Sequence, residues 1–267
     1  MRMEGRWIHL RAFLDVETTG FEPGQIAQLS YIITDDELNV QMAKNFFFSV
    51  DSMPRKASDV HGLTKPKLKK LSGGKIFADH AQEIHGDLAN TDAICHNTKF
   101  DIAFLEAEFN RLSMRLPCAP GACTMLHYTD ICALPGGPRS QYKWPKLHEA
   151  MGAAKISSKV ARTTAAELFG EEDLPFHDSR MDVAAVYSIC KSMGRTAVDE
   201  MVSSYRNPPM TTLSVISPYL TLGRILIYLW IAISLGFIFD KDSPTSMGIT
   251  CLGLGIFWLY RSFRKQS

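Results

Sequence analysis

The chain has 267 residues, with 29 Lys and Arg against 28 Asp and Glu and a formal net charge of +1. That near-balance excludes a histone-like polycation and an acidic disordered tail, and 46% hydrophobic with 10% aromatic residues excludes wholesale disorder. The length allows one large domain and something more, or two small ones, with a sizeable core. The six cysteines, Cys95, Cys118, Cys123, Cys132, Cys190 and Cys251, contain no C-x-x-C pair. This argues against a zinc knuckle and for unpaired thiols in a reducing compartment. Met1 to Leu10 holds no long apolar run, so no secretory signal is expected.

Trp7 to Val16 is apolar and β-prone, and reads as a buried strand ending at Asp15. Ile26 to Thr34 and Val40 to Val50 read as two more strands, with Asp35, Asp36 and Asn39 marking the hairpin between them. Pro54 to Lys75 reads as a basic connection punctuated by Gly and Pro. Phe77 to Leu88 has helical spacing, Ala93 to Cys95 is a short strand, and Phe100 to Leu112 is an amphipathic helix. Thr124 to Ile131 reads as a strand, and helices are expected from Leu147, over Ser157 to Phe169, and over Met181 to Met193. Strands first, then strands alternating with helices, predict an α/β fold with helices flanking the sheet.

Asp15 and Glu17 are two apart in FLDVETTG, so in a strand both point to one side, and Gly20 lets the backbone turn close to a bound group. A bare Asp-x-Glu is weak on its own. Asp101 follows in HNTKFD at a helix start, where an acid alone would only compensate the helix dipole. His177 and Asp182 come in HDSRMD before the last helix of this part. The order and setting of the three segments, about 80 residues apart, are what carries weight.

This pattern resembles the DEDDh-type 3′–5′ exonucleases, the superfamily of the bacterial polymerase III proofreading subunit and RNase T. The likeness runs over roughly residues 8–195 and includes an H-G-[IL]-T tetrad, here His61-Gly62-Leu63-Thr64. It implies an RNase H-like mixed five-stranded sheet and two Mg²⁺ ions, with Mn²⁺ as substitute. It also implies that Asp15, Glu17 and Asp182 hold the first ion, that Asp15 and Asp101 order the second, and that His177 is the general base. Thr18, His61 and Phe100 would touch the terminal nucleotide, His61 alternatively serving only as a turn residue. The chemistry agrees with the residue types. Close carboxylate pairs repel by roughly 4 kcal/mol at an effective dielectric near 20, so cations or protons must neutralise them. Oxygen ligands select hard cations, and a histidine of ordinary pKa near 6.5 suits removal of a proton from an attacking water.

Lys65, Lys67, Lys69, Lys70 and Lys75 either track phosphates or form a solvated face. In Tyr142-Lys143-Trp144-Pro145, Trp144 either stacks a base or caps the core. Beyond a linker at residues 206–218, the composition changes. From Leu213 to Tyr260 there are four charges, Arg224, Asp240, Lys241 and Asp242. Tyr219 to Phe239 is a run of 21 residues with Arg224 near one end, and Met247 to Tyr260 a second of 14. A transmembrane helical hairpin over residues 219–260 is expected, with a basic tail at residues 261–267. Arg261, Arg264 and Lys265 place both ends in the cytoplasm.

The expectation is therefore an exonuclease domain over residues 1–205 tethered to a lipid bilayer, the bacterial inner membrane or, alternatively, an ER membrane facing the cytosol. Its partner would be single-stranded or 3′-ended nucleic acid, DNA favoured over RNA. Two other readings are an RNA-trimming enzyme of the same fold and a membrane-tethered nucleic-acid-binding protein without turnover. The presence of all four carboxylates and the histidine speaks against the last.

Overall fold

A computed structural model describes residues 2–3, 6–7, 10–138 and 140–208. The chain divides into two units, Met1–Asn207 and Pro208–Ser267. Apart from Pro208 the second unit, and with it the expected membrane hairpin and basic tail, lies outside the described residues. Among the described residues no helix is long and apolar enough to cross a membrane.

Five strands form one mixed sheet: β1 (Leu10–Thr18), β2 (Ile26–Thr34), β3 (Val40–Phe47), β4 (Thr91–Cys95) and β5 (Ala119–Cys123), in the order β3-β2-β1-β4-β5. β1 to β3 are an antiparallel meander, while β4 and β5 run parallel to β1. The β2–β3 turn is closed by the Asp35 carboxylate, which accepts from the backbone N–H groups of Glu37 and Asn39 at 2.9 Å each. The helices are α1 (Arg55–His61), α2 (Lys65–Leu71), α3 (Phe77–Leu88), α4 (Thr98–Arg111), α5 (Thr124–Cys132), α6 (Leu147–Ala153), α7 (Ser158–Phe169), α8 (Ser179–Met193) and α9 (Arg195–Arg206).

Side chains alternate across β1, and each face has its own core. Ala12, Leu14 and Val16 pack with Phe77, Ala81, Ile84 and Leu88 of α3 and with Phe104, Leu105 and Phe109 of α4. Phe13, on the other face, packs with Ile32, Ile94, Val183, Val186 and Tyr187 of α8, and Val198, Met201 and Val202 of α9. Asp15 and Glu17 share the parity of Phe13, so they belong to the α8 face. β1 continues past Asp15 to Thr18, with a bulge in its pairing to β2 between Glu17 and Thr18.

Three expectations need correction. Thr124 to Ile131 is helix α5, not a strand; Thr124 and Tyr128 are buried one turn apart, while Leu126 and Ile131 are exposed. The fifth strand lies just before it, where Gly121 allows a close approach: a Cβ there would sit 2.9 Å from the Cβ of Asp92. The connection from Pro54 to Lys75 contains two short helices, each stopped or started by its own chemistry. Gly62 ends α1 in the left-handed conformation at φ 69°, and the Thr64 side chain caps α2 by accepting from Lys67 N–H. Helix α9 is an addition to the expected elements, although Val198, Met201 and Val202 recur at helical spacing.

Two glycines give opposite expectations. A Cβ at Gly62 meets no neighbouring atom, so its constraint is the backbone angle alone. Gly62→Ala should cost about 1–2 kcal/mol. Gly86, inside α3 with equally open space, should gain about 0.5–1 kcal/mol as Gly86→Ala. Urea unfolding of the two variants beside the parent chain reads both signs.

Candidate active site

The α8 face of the sheet changes character along its length. At one end it is apolar, around Phe13 and Ile32; at the other it carries a polar row. Asp15 pairs with Ser30 and Glu17 with Gln28 across β1 and β2, and Ser30 pairs with Asn45 on β3. The N-terminus of α8 lies over this polar end. Ser179 Oγ is 2.6 Å from Ser30 Oγ, and Gln28 Nε2 donates to Asp178 Oδ1 at 2.9 Å and to Asn45 Oδ1 at 2.8 Å. Asp182, in the first turn of α8, is thereby set against Glu17. One oxygen each from Glu17 and Asp182 and one ring nitrogen of His177 all lie within 4.8 Å of one another.

Asp101 arrives from the opposite side. The β1–β4 pairing runs only as far as Phe13 and Ile94, which leaves the N–H groups farther along that edge of β1 without a strand partner. Asp101, in the first turn of α4, accepts from Val16 N–H at 3.2 Å and is buried. Asp101 is therefore held by the backbone of the residue between Asp15 and Glu17. His177 sits just before α8 at φ 64°, a left-handed conformation that costs a non-glycine residue about 1–2 kcal/mol. Its N–H donates to Asp182 Oδ2 at 3.3 Å, so the histidine and the acid five residues on are tied through the backbone.

Burial and mutual repulsion raise every carboxyl of the group. Burial is the largest cause for Asp15, whose carboxyl is held well above the usual range, followed by Asp182, Asp101 and Glu17. Glu17 is pushed up to about 9 by burial, then by Asp182, Asp178 and Asp101. Asp101 is pushed to about 7 by burial, against the opposing hydrogen bond from Val16 N–H, and Asp182 to about 7 by burial, against that from His177 N–H. Asp182 Oδ1 is the one buried side-chain nitrogen or oxygen atom among the described residues that has no hydrogen-bond partner. A buried carboxylate oxygen without a donor, beside other carboxylates, fits a hard divalent cation.

The residues expected around the group fall into place unevenly. Thr18 is buried, its hydroxyl donating to Gly20 O at 2.7 Å. Phe100 is half-buried, its ring 4.8 Å from that of Phe104. His61 accepts at Nδ1 from Leu63 N–H at 3.1 Å, which leaves the proton on Nε2, 3.2 Å from the Thr18 carbonyl. Burial lowers its pKa, and His177 and Lys67 add to the effect. Both ring nitrogens of His61 thus serve the chain: the His-Gly-Leu-Thr segment is a helix end, a left-handed turn, a buried leucine and a helix cap that fasten α1 and α2 to the end of β1. Trp144 does not cap the core, since it is 66% exposed; its neighbour Pro145 is anchored through its carbonyl to His96 Nε2 at 3.0 Å. Phe21, one residue beyond Gly20, is 91% exposed.

The supporting network escapes the sequence reading. Arg180 binds Asp178 with two side-chain bonds, at 2.9 and 2.8 Å, and reaches Glu171 at 2.7 Å. Burial pushes Asp178 up, but the bonds from Arg180 and Gln28 outweigh it and hold the carboxyl below its ordinary value. Asp178 therefore belongs to the frame, and its carboxyl is shifted in the opposite direction from the acids beside it. Its signal in the sequence is Gln28 and Ser30, two polar residues at strand spacing inside the otherwise apolar IAQLSYIIT.

Acids from β1, α4 and α8 thus meet at the C-terminal end of the central strand, an arrangement suited to holding divalent cations. Residues 12–157, more than half the chain, match the Exonuclease (RNase T) family, and the chain belongs to that family. It is 33% identical over 103 residues to the DNA polymerase III subunit epsilon of Rickettsia prowazekii, covering 37% of this chain and 44% of that protein. To the same subunit of Buchnera aphidicola it is 26% identical over 131 residues, covering 44% and 53%. The chain thus spans about half the length of these curated relatives. E. coli Exonuclease I in complex with a dA16 oligonucleotide has the same fold, with a TM-score of 0.56 at 19% identity, over 74% of this chain and 44% of that one.

The raised carboxyl groups set the sign of a pH effect. Glu17 at about 9 and Asp101 and Asp182 at about 7 bind protons more tightly folded than unfolded, where such acids titrate near 4. Their contribution is complete below about pH 4 and is lost as pH rises through about 7 to 9. With EDTA present, the thermal midpoint should fall from about pH 6 to about pH 9, and Glu17→Gln should flatten the fall. Mg²⁺ or Mn²⁺ should raise the midpoint more at the alkaline end. A flat profile in EDTA would show that neither burial nor repulsion raises the acids.

Proposed function

We propose that the chain is a 3′–5′ exonuclease that hydrolyses phosphodiester bonds at nucleic-acid 3′ ends and releases 5′-mononucleotides. The observation that carries this reading is the convergence of Asp15, Glu17, Asp101, Asp182 and His177 at the C-terminal end of the central strand in a chain of the exonuclease family. Two Mg²⁺ ions, or Mn²⁺ in their place, would neutralise the acids and polarise the scissile phosphate. Glu17 and Asp182, with Asp15, are assigned to the first ion, and Asp15 with Asp101 to the second. Asp182 divides its two oxygens: Oδ2 holds the His177 backbone, and Oδ1 is left for the cation. His177 takes the proton from the attacking water, one of its ring nitrogens lying within 4.8 Å of a carboxylate oxygen of Glu17 and of Asp182. Thr18 and Phe100 are assigned to the terminal nucleotide, and His61 acts by holding Thr18.

Single-stranded or 3′-ended DNA is the favoured substrate. The support is the kinship to polymerase III epsilon subunits and the fold shared with an Exonuclease I seen with dA16 and dT13 oligonucleotides. Asp15→Asn and Asp182→Asn should each leave less than about a tenth of the Mg²⁺-dependent release of mononucleotides from labelled DNA and RNA strands. His177→Ala should lower the rate by about 10²–10⁴ while oligonucleotide affinity changes little. Activity above these bounds would remove the residue concerned from its assigned role.

We also infer that residues 219–239 and 247–260 form a helical hairpin through a bilayer, on the length of their apolar runs and the flanking Arg261, Arg264 and Lys265. The nuclease would then face the cytoplasm from the bacterial inner membrane, with an ER membrane facing the cytosol as the alternative of identical topology. Full-length protein should sediment with membranes and resist high-salt extraction, and the chain cut before Leu213 should be soluble and active. Recovery of the full chain in the high-salt supernatant would end the anchor reading.

A further inference from the structure

Helices α1 and α2 and the turn after them carry a charge distribution unlike that of the chain as a whole. In a chain of formal net charge +1, residues 55–75 hold seven cations, Arg55, Lys56, Lys65, Lys67, Lys69, Lys70 and Lys75, against the single carboxylate of Asp59. All seven are exposed. Asp59 lies 3.7 Å from Arg55, and no lysine of the group forms an ion pair with a described residue. Lys65 and Lys67 donate to backbone carbonyls, of Asp51 and Gly62, while Lys69, Lys70 and Lys75 have no side-chain partner among the described residues. Dipole compensation at the end of α2 accounts for Lys69 and Lys70 but not for the rest. Seven like charges kept on one short segment repel one another, and that repulsion is relieved by a bound polyanion.

The segment is also fixed to the acidic group. His61, the last residue of α1, bonds to the carbonyl of Thr18, the residue after Glu17. Lys67 of α2 closes back on the same turn, donating to the Gly62 carbonyl at 3.3 Å. A site built of four acids repels a phosphate chain, and cations on a neighbouring, rigidly attached surface offset that repulsion.

We propose that α1, α2 and the Gly73–Lys75 turn form a binding surface for the phosphate backbone of the substrate strand upstream of its 3′ end. This rests on the nuclease reading and deepens it: the preferred substrate is a strand of several nucleotides rather than a dinucleotide. Contact is with phosphates, so it is independent of base sequence and weakens steeply with salt.

The test uses the full chain and the triple variant Lys69→Gln, Lys70→Gln, Lys75→Gln. Affinity for a fluorescent strand of about twelve nucleotides is measured by anisotropy in Ca²⁺ across a salt series. The variant should bind about tenfold or more weakly, and its slope of log affinity against log salt should be shallower by about 0.7 for each phosphate that the removed lysines neutralise. In Mg²⁺, the loss in kcat/KM should be large for that strand and small for a dinucleotide. An unchanged salt slope, or equal losses on both substrates, overturns the proposal. So does loss of flotation with vesicles containing anionic lipid while strand affinity stays the same, which would assign the surface to a membrane. If wild-type protein releases no mononucleotide from any strand, the nuclease reading fails, while the binding measurement still decides the surface by itself.

Discussion

Four carboxyl groups gathered in one buried corner oppose folding, and much of the surrounding architecture is arranged to hold them there. Burial alone disfavours each charge, and the neighbours add to it, which is why Asp15, Glu17, Asp101 and Asp182 all shift upward. Two elements concentrate the group from opposite sides. The short β4 leaves Val16 N–H free for Asp101, and the polar end of the α8 face accepts the first turn of α8. The acids are met by backbone N–H groups, His177 and one another. Among the described residues no lysine or arginine enters the group itself, since Arg180 is spent on Asp178 and Glu171. A cation bound to such a group meets no competing positive charge.

The frame around the acids is a network rather than a pair. Gln28 spans Asn45 and Asp178, Ser30 meets Ser179 and Asn45, and Arg180 closes on Asp178 with its guanidinium 5.4 Å from the centre of the Phe47 ring. These groups come from β2, β3 and α8, so they register a helix against two strands at the level where Asp182 must face Glu17. Apolar packing farther along α8 supplies adhesion but tolerates sliding; hydrogen bonds with fixed directions do not.

How much of this is legible in the sequence depends on the range of the interaction. β2 and α3 lie where the sequence places them, because an apolar run closed by Asp35 and Asp36, and buried positions at Phe77, Ala81, Ile84 and Leu88, are local signals. Helix α5 reads as a strand because Thr, Tyr and Ile favour strands, while the strand beside it contains Pro120 and Gly121, which an edge position tolerates. The acids stand out because their order and their settings, a strand end and two helix starts, recur as a pattern along the chain. The partners of Asp178 are up to 150 positions away in sequence, and nothing local distinguishes Gln28 from a solvated residue except its place between buried apolar neighbours.

The division of the α8 face into an apolar and a polar end separates what keeps the domain folded from what makes its corner acidic. Phe13, Ile32, Val183 and Val186 hold α8 to the sheet without help from the carboxylates, and removing a repelling acid relieves the native state. Loss of the site would therefore leave a sound domain. A gene copy released from selection on its chemistry could shed one acid after another and still encode a stable protein. In this chain, then, folding and the acidity of the corner rest on different residues of the α8 face.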